Sequence, residues 1–300
     1  MVKSKSQEMS PVQLTAANLR LELSPSVGGA ISAFEWTDES GDRPILRKCH
    51  TPLEKVLDAA CFPLVPYVNR IRGGSFTFRG RTVRLAPNMP GDPSPLHGQG
   101  WLNHWEVERH DAASAVLTYA HQSGEWPWSY AARQEFTLDR RGLSLRLTCR
   151  NTSGEPMPCG LGEHPYFPCG PETHIDTDVG CAWTVDDQVL PVAKVPTEGR
   201  YDLRDRLVCS QNLDNGFGDW GGEARLTDPG WPYELRLSSH EAKFFQLYSP
   251  REGAIFVAEP VTHANAALNE PEEKWPELGM RVLESGEEMS LDMRLQVMPR

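Results

Sequence analysis

The stretch Glu288-Met289-Ser290-Leu291-Asp292-Met293-Arg294-Leu295-Gln296-Val297 alternates without a break: Met289, Leu291, Met293, Leu295 and Val297 on one side, polar or charged residues on the other. A period of two marks an extended strand with one buried and one wet face, so this stretch predicts a core-facing final strand. The pattern recurs upstream. Leu19, Leu21 and Leu23 are separated by Arg20 and Glu22; Leu143, Leu145, Leu147 and Cys149 alternate, as do Tyr233, Leu235 and Leu237. Phe76 and Phe78 precede Arg79-Gly80, and Val83 and Leu85 follow it, which reads as a hairpin. Strand-like stretches return every roughly 8 to 15 residues with no sustained helical period, and together they predict a large antiparallel β-sandwich. Residues 52–59 have room for one or two helical turns. Residues 1–12 read as a flexible tail and 13–300 as a single domain, with no internal repeat, low-complexity segment or linker.

Composition agrees. Glycine and proline number 25 each in 300 residues, which favours turns over long helices. The formal charge of −11 argues against a nucleic-acid partner, since phosphate binding wants a basic face. The seven cysteines are an odd number without tight pairs, which does not read as a disulfide framework. No Cys-x-x-Cys occurs, which argues against a structural zinc site. The first ten residues lack an apolar signal core, and no apolar run approaches the ~18 residues of a membrane span. A soluble protein of the reducing cytoplasm is the expectation, with oligomeric state unassigned.

A second stretch, Gly160-Leu161-Gly162-Glu163-His164-Pro165-Tyr166-Phe167, bears on chemistry. Upstream stand Asn69-Arg70-Ile71 and Leu96-His97-Gly98; downstream stands Glu259-Pro260-Val261-Thr262-His263. A fold that gathers them would hold two histidines, an arginine and a carboxylate around one pocket: an acid, a base and polar anchors, with no nucleophile, metal or cofactor required. Read alone, each residue has a plainer account. Glu259 closes the apolar run Ala254–Ala258, with Pro260 ending the strand, and fits an ordinary solvent-facing glutamate as well as one directed into a cleft. His164, followed by Pro165 and the aromatics Tyr166 and Phe167, fits a structural turn histidine; Arg70 fits a surface ion pair.

In this order the segments resemble the aldose 1-epimerase (mutarotase) family, from about Leu14 to the C-terminus, with His-Pro-Tyr-Phe the most specific part. The resemblance implies a many-stranded super-sandwich with a sugar site in a cleft on one concave sheet face, and conversion between the α and β anomers of an aldose. That reaction needs a base to take the C1 hydroxyl proton and an acid to protonate the ring oxygen, opening the ring so that C1 can turn before closure. Glu259 would be the base and His164 the acid, whose ordinary pKa values of ~4.3 and ~6.5 suit a carboxylate beside an imidazolium. His97 would contact the sugar, Asn69-Arg70 would donate to its hydroxyls, and Asp214 of Asp214-Asn215-Gly216 would accept from them, although Asp-Asn-Gly is also an ordinary turn. His263 receives no role. Trp101, Trp126 and Trp128 offer faces for a sugar ring but are more simply core residues.

Three other classes compete. A glycosidase would need a second carboxylate, and only Glu259 has positional support. A zinc site from His97, His164 and Glu259 lacks a His-x-x-x-His pair. A carbohydrate-binding module of the same fold would have no need of both acid and base. Within the enzyme class the rival is a hexose-6-phosphate epimerase, suggested by Arg70, Arg72, Arg79, Arg81 and Arg84; alternating arginines on a hairpin are more simply a solvated face. The favoured partner is a small neutral sugar.

Overall fold

A computed structural model describes residues 11–49 and 52–300. The expected tail therefore falls almost wholly outside the described residues, and the first strand begins at Val12. The described residues contain no α-helix, only strands and six short 3-10 turns, one of which, Val56–Asp58, lies in the segment expected to be helical. None is long and apolar enough to cross a membrane.

All strand pairings are antiparallel. A nine-stranded sheet runs in the order Arg206–Leu207, His174–Thr177, Glu223–Thr227, Tyr233–Ser238, Glu288–Pro299, Gly142–Asn151, Tyr130–Asp139, Ser114–His121, Glu106–His110. The final strand sits in its middle, and Met289, Leu291, Met293, Leu295 and Val297 are all buried, as their alternation predicts. The hairpin is present too: Ser75–Phe78 pairs with Arg81–Arg84, and both loop residues, Arg79 and Gly80, have positive φ, the geometry a two-residue turn between twisted strands requires.

The sheet that positions the site is eight-stranded, in the order Pro191–Val195, Cys181–Val185, Leu213–Gly218, Phe244–Ser249, Ile255–Val261, Gly162–Glu163, Pro63–Leu64, with Tyr166–Pro168 also on Ile255–Val261. Its two faces bury different things. Phe217, Phe245, Leu247, Phe256 and Ala258 join the nine-stranded sheet's leucines in the main core. The alternate positions, Phe244, Val257 and Val261, belong to a second cluster with Phe62, Leu96, Trp101 and Tyr166. Polar residues within this second set, Gln246 and Glu259, are thus carried to the face away from the main core.

Two expectations need correction. Pro260 does not end its strand, which continues to Val261 with Pro260 opposite Phe245. On its other side the ladder pairs Gly162 with Val261 and resumes beyond the gap at Tyr166 with Val257, so none of these pairs involves Pro260. A disulfide is also present, between Cys169 and Cys209, with Cα atoms 5.7 Å apart and a sequence separation of 40. Sequence spacing gave no sign of it because the fold, not the chain, brings the two together. By the loop-closure model such a link is worth about 4 kcal/mol. Dithiothreitol, or the double change Cys169→Ser with Cys209→Ser, is expected to lower Tm by on the order of 6 °C; an unchanged calorimetric Tm would show that the link carries no stability.

Candidate active site

Register builds the site. Gly162 pairs with Val261 and Tyr166 with Val257, so the two pieces of the interrupted strand keep one register, and His164, in the gap, falls opposite Glu259. On its other side Glu259 is paired with Gln246, and Gln246 with Gly216. Residues directly opposed across a sheet present side chains to the same face, giving a row His164, Glu259, Gln246. Nε2 of His164 lies 3.3 Å from Oε1 of Glu259.

The His164 ring is clamped. It stacks on Phe62 at 4.5 Å between centroids and 19° between planes, and lies against Tyr166 at 4.6 Å. The Arg47 guanidinium covers Tyr166 at 3.5 Å from the ring centroid while its Nε donates to the Ala59 carbonyl. The His164 N–H donates to the Phe62 carbonyl, fixing the backbone as well. Phe62 and Tyr166 thus hold the ring in one orientation.

Asn69 and His97 form a second anchor. Both adopt positive φ, rare for non-glycine residues. The His97 N–H donates to the Asn69 carbonyl, and the Asn69 N–H donates to Nδ1 of His97 at 3.0 Å. With Nδ1 accepting, the neutral ring carries its proton on Nε2 and is a fixed donor. Gly98 follows at positive φ, and a Cβ there would collide with the Val65 carbonyl, so the position calls for glycine. Arg70, with an 11% exposed side chain, donates through Nε to Asp92 at 2.8 Å and through Nη1 to Asn69 Oδ1 at 3.2 Å. Asp214 lies inside the strand Leu213–Gly218 rather than in a turn, opposite Tyr248, and its Oδ1 accepts from Gln246 Nε2 at 2.7 Å.

All six residues singled out in the sequence, Asn69, Arg70, His97, His164, Asp214 and Glu259, line one cavity of about 260 Å³, with Phe62, Trp101, Gln246 and Tyr248 among the remaining walls. Sequence reading missed Gln246 and Asp92. Gln246 had a signal: it is the polar member of the alternating set Phe244, Gln246, Tyr248. Asp92 reads as a turn residue. His263 is buried but closed off, accepting from the Val68 N–H at Nε2 and contacting the Ala264 carbonyl at Nδ1; it props the segment that carries Asn69. Trp126 and Trp128 lie in the core against Phe76 and Phe78. Among the described residues no three His, Cys, Asp or Glu side chains converge as metal ligands.

Electrostatics depart from the simple expectation. Burial raises Glu259 well above the usual carboxylate range, Asp214 adds to the rise, and Arg70 only partly offsets it. Burial also lowers His164 to about 3 and His97 well below the ordinary imidazole value. The free-solution order of Glu259 and His164 is therefore inverted, because burial disfavours charge on both. Glu259 Oε2 and His164 Nδ1 are buried without a hydrogen-bond partner.

A family model for aldose 1-epimerase matches residues 12–296. The chain belongs to the aldose 1-epimerase family. The Escherichia coli K12 protein YphB is 33% identical over 298 residues, covering 95% of this chain and 97% of its own. A crystal structure of a family member from Escherichia coli K12 superposes with a TM-score of 0.88 at 31% identity, covering 97% of this chain and 99% of that one. An Escherichia coli aldose 1-epimerase is 24% identical over 223 residues, 64% of this chain and 62% of its own. The family's all-β, mutarotase-like architecture is the fold seen here.

Proposed function

We propose that the protein is a mutarotase acting on a free aldose, with Glu259 as base and His164 as acid. The observation that carries this is the Glu259–His164 pair, 3.3 Å apart at the wall of a cavity of monosaccharide scale. The ring oxygen and the anomeric hydroxyl of a cyclic sugar are bonded to the same carbon, so two groups this close can address both at once. Glu259 takes the proton from the C1 hydroxyl, His164 gives one to the ring oxygen, and the bond between C1 and the ring oxygen breaks. Rotation about C1–C2 and reversal of both transfers close the ring on the other carbonyl face.

The inverted pKa order favours the uncharged form of the pair, and the bound sugar has to stabilise the charged one. A carboxylate beside an imidazolium and a carboxylic acid beside a neutral imidazole hold the same single proton. The first is the state before ring opening and the second the state after it, so each step shifts protons within a buried site without creating net charge. Hydroxyls of the bound sugar, donated to Glu259, offset the cost of the charged form. His97 and Arg70 donate to the sugar, and Asp214 and Gln246 orient its hydroxyls.

A neutral sugar suits the walls better than a phosphorylated one. Among the described lining residues Arg70 is the sole fixed cation, and Asp92 already engages it, while Asp214 adds an acidic group and the one-proton Glu259–His164 pair adds no net charge. Arg72, Arg79 and Arg81 are exposed and paired with Asp186, Glu284 and Glu155. Exchange NMR with glucose, galactose and their 6-phosphates is expected to show accelerated anomer exchange for the parent sugars. Acceleration of the phosphates alone would overturn the substrate, and binding without acceleration would support a carbohydrate-binding module instead.

A further inference from the structure

Arg47 is not among the described residues that line the sugar cavity, yet its bonds reach both sides of the clamp on His164. It follows Ile45 and Leu46, whose N–H groups donate to the Phe34 carbonyl and whose side chains are buried in the main core. We propose that Arg47 is a positioning residue for His164: it fixes Tyr166 and the segment that ends in Phe62, and through these two rings sets the angle at which the imidazole meets the ring oxygen of the sugar. The proposal rests on the mutarotase reading for the role of His164.

The bonds divide between the two sides. Toward Tyr166, the Arg47 N–H donates to the Tyr166 carbonyl at 2.7 Å, and the guanidinium lies over the Tyr166 ring, where cation–π attraction holds it. Toward Phe62, Nε donates to the Ala59 carbonyl at 2.7 Å and Nη2 to the Leu57 carbonyl. The segment so tied runs alongside the histidine: the Tyr166 N–H donates to the Ala60 carbonyl at 2.9 Å and the His164 N–H to the Phe62 carbonyl at 3.1 Å. One planar fork thus joins the two walls between which the imidazole lies.

The imidazole depends on those walls. Its Nδ1 is buried without a hydrogen-bond partner among the described residues, so beyond the contact with Glu259 its orientation is left to packing. A reacting group misplaced by 1 Å can lose about 10²-fold in rate, which makes the bracing of these rings matter to turnover. Burial is the main cause of the lowered His164 pKa and the Arg47 charge adds to it, so the test has to separate bracing from charge.

The test compares Arg47→Met and Arg47→Lys with the unmodified protein. Methionine keeps an apolar side chain over Tyr166 and loses the charge and both side-chain bonds. Lysine keeps the charge but not the fork that reaches two carbonyls. Both are expected to lower kcat for anomer exchange by about 10- to 100-fold with little change in KM. A second reading is the Cε1–H signal of His164 at neutral pH, assigned by its absence from His164→Gln. Stacking against Phe62 and Tyr166 shields this proton in the unmodified protein, and in both variants it is expected to move toward the position of an unstacked histidine. An unmoved signal, a normal kcat, or a loss confined to KM would overturn the proposal. So would an Arg47→Lys protein that matches the unmodified one, since charge alone would then suffice. If Arg47→Met does not fold, Arg47→Lys decides by the same two readings. Should the unmodified protein accelerate no sugar, the mutarotase reading fails separately, and the His164 signal alone decides whether Arg47 holds the ring.

Discussion

Glu259→Gln is expected to lower the anomer-exchange rate by about 10²- to 10⁴-fold, the usual worth of a positioned general base. Glutamine matches the carboxyl in size and keeps the contact with His164, so the cavity retains its shape and sugar binding persists. What it lacks is the oxygen that can accept and return a proton. His164→Gln removes the acid with a comparable loss, without opening the void between Phe62 and Tyr166 that alanine would leave. Because the two groups act as a unit, the double variant is expected to be little worse than either single one. The pH profile carries the same signature. The pair holds its single proton from about pH 3, where His164 takes a second, up to the raised titration of Glu259, so activity is lost only outside that span. Polarimetry or exchange NMR on folded, purified variants provides the check, and near-normal turnover in Glu259→Gln would remove it from the mechanism.

Much of this site was legible in the sequence because its residues sit in short, unusual contexts. His164 lies between a glutamate and a proline, and Glu259 at the end of an apolar run. The strands were legible for a different reason: one face of each is buried, so Leu143 to Cys149 and Met289 to Val297 must alternate. What was hidden depends on register and burial. That His164 faces Glu259 follows from two bridged pairs on either side of a gap, and no local pattern reveals it. Gln246 reaches the site as Glu259's cross-strand partner, and Asp92 only through its ion pair with Arg70. Pro260 seemed a terminator because its neighbours in space were unknown. The inverted order of the two titrating groups comes from burial, absent from any list of residue types.

Glu163, beside His164 in sequence, points the other way, and its effect should appear in stability. It is 1% exposed; one carboxyl oxygen has no partner and the other accepts from the Cys61 thiol at 3.6 Å. Burial pushes its pKa up to about 8, the Cys61 hydrogen bond offsetting this only in part. In the unfolded chain it titrates near ~4.3. A raised folded value means the stabilising proton is fully held below the unfolded pKa and lost as pH rises through about 8. The buried histidines oppose this at lower pH: His164, lowered to about 3, and His263, lowered to about 4, favour the folded state increasingly as pH climbs to their unfolded value near ~6.5. Above ~6.5 that opposition is exhausted, and Glu163 and Glu259, both raised, act in the same direction. Between pH 6.5 and 8, Glu163 alone is expected to remove on the order of 2 kcal/mol, at roughly 1.4 kcal/mol per pH unit, or about 3 °C in Tm. Glu163→Gln, close in shape to the protonated acid, is expected to flatten the fall by that amount while leaving the Glu259 contribution in place. Thermal unfolding of both proteins across this range decides the matter: parallel curves would mean that Glu163 is already ionised in the folded state at neutral pH.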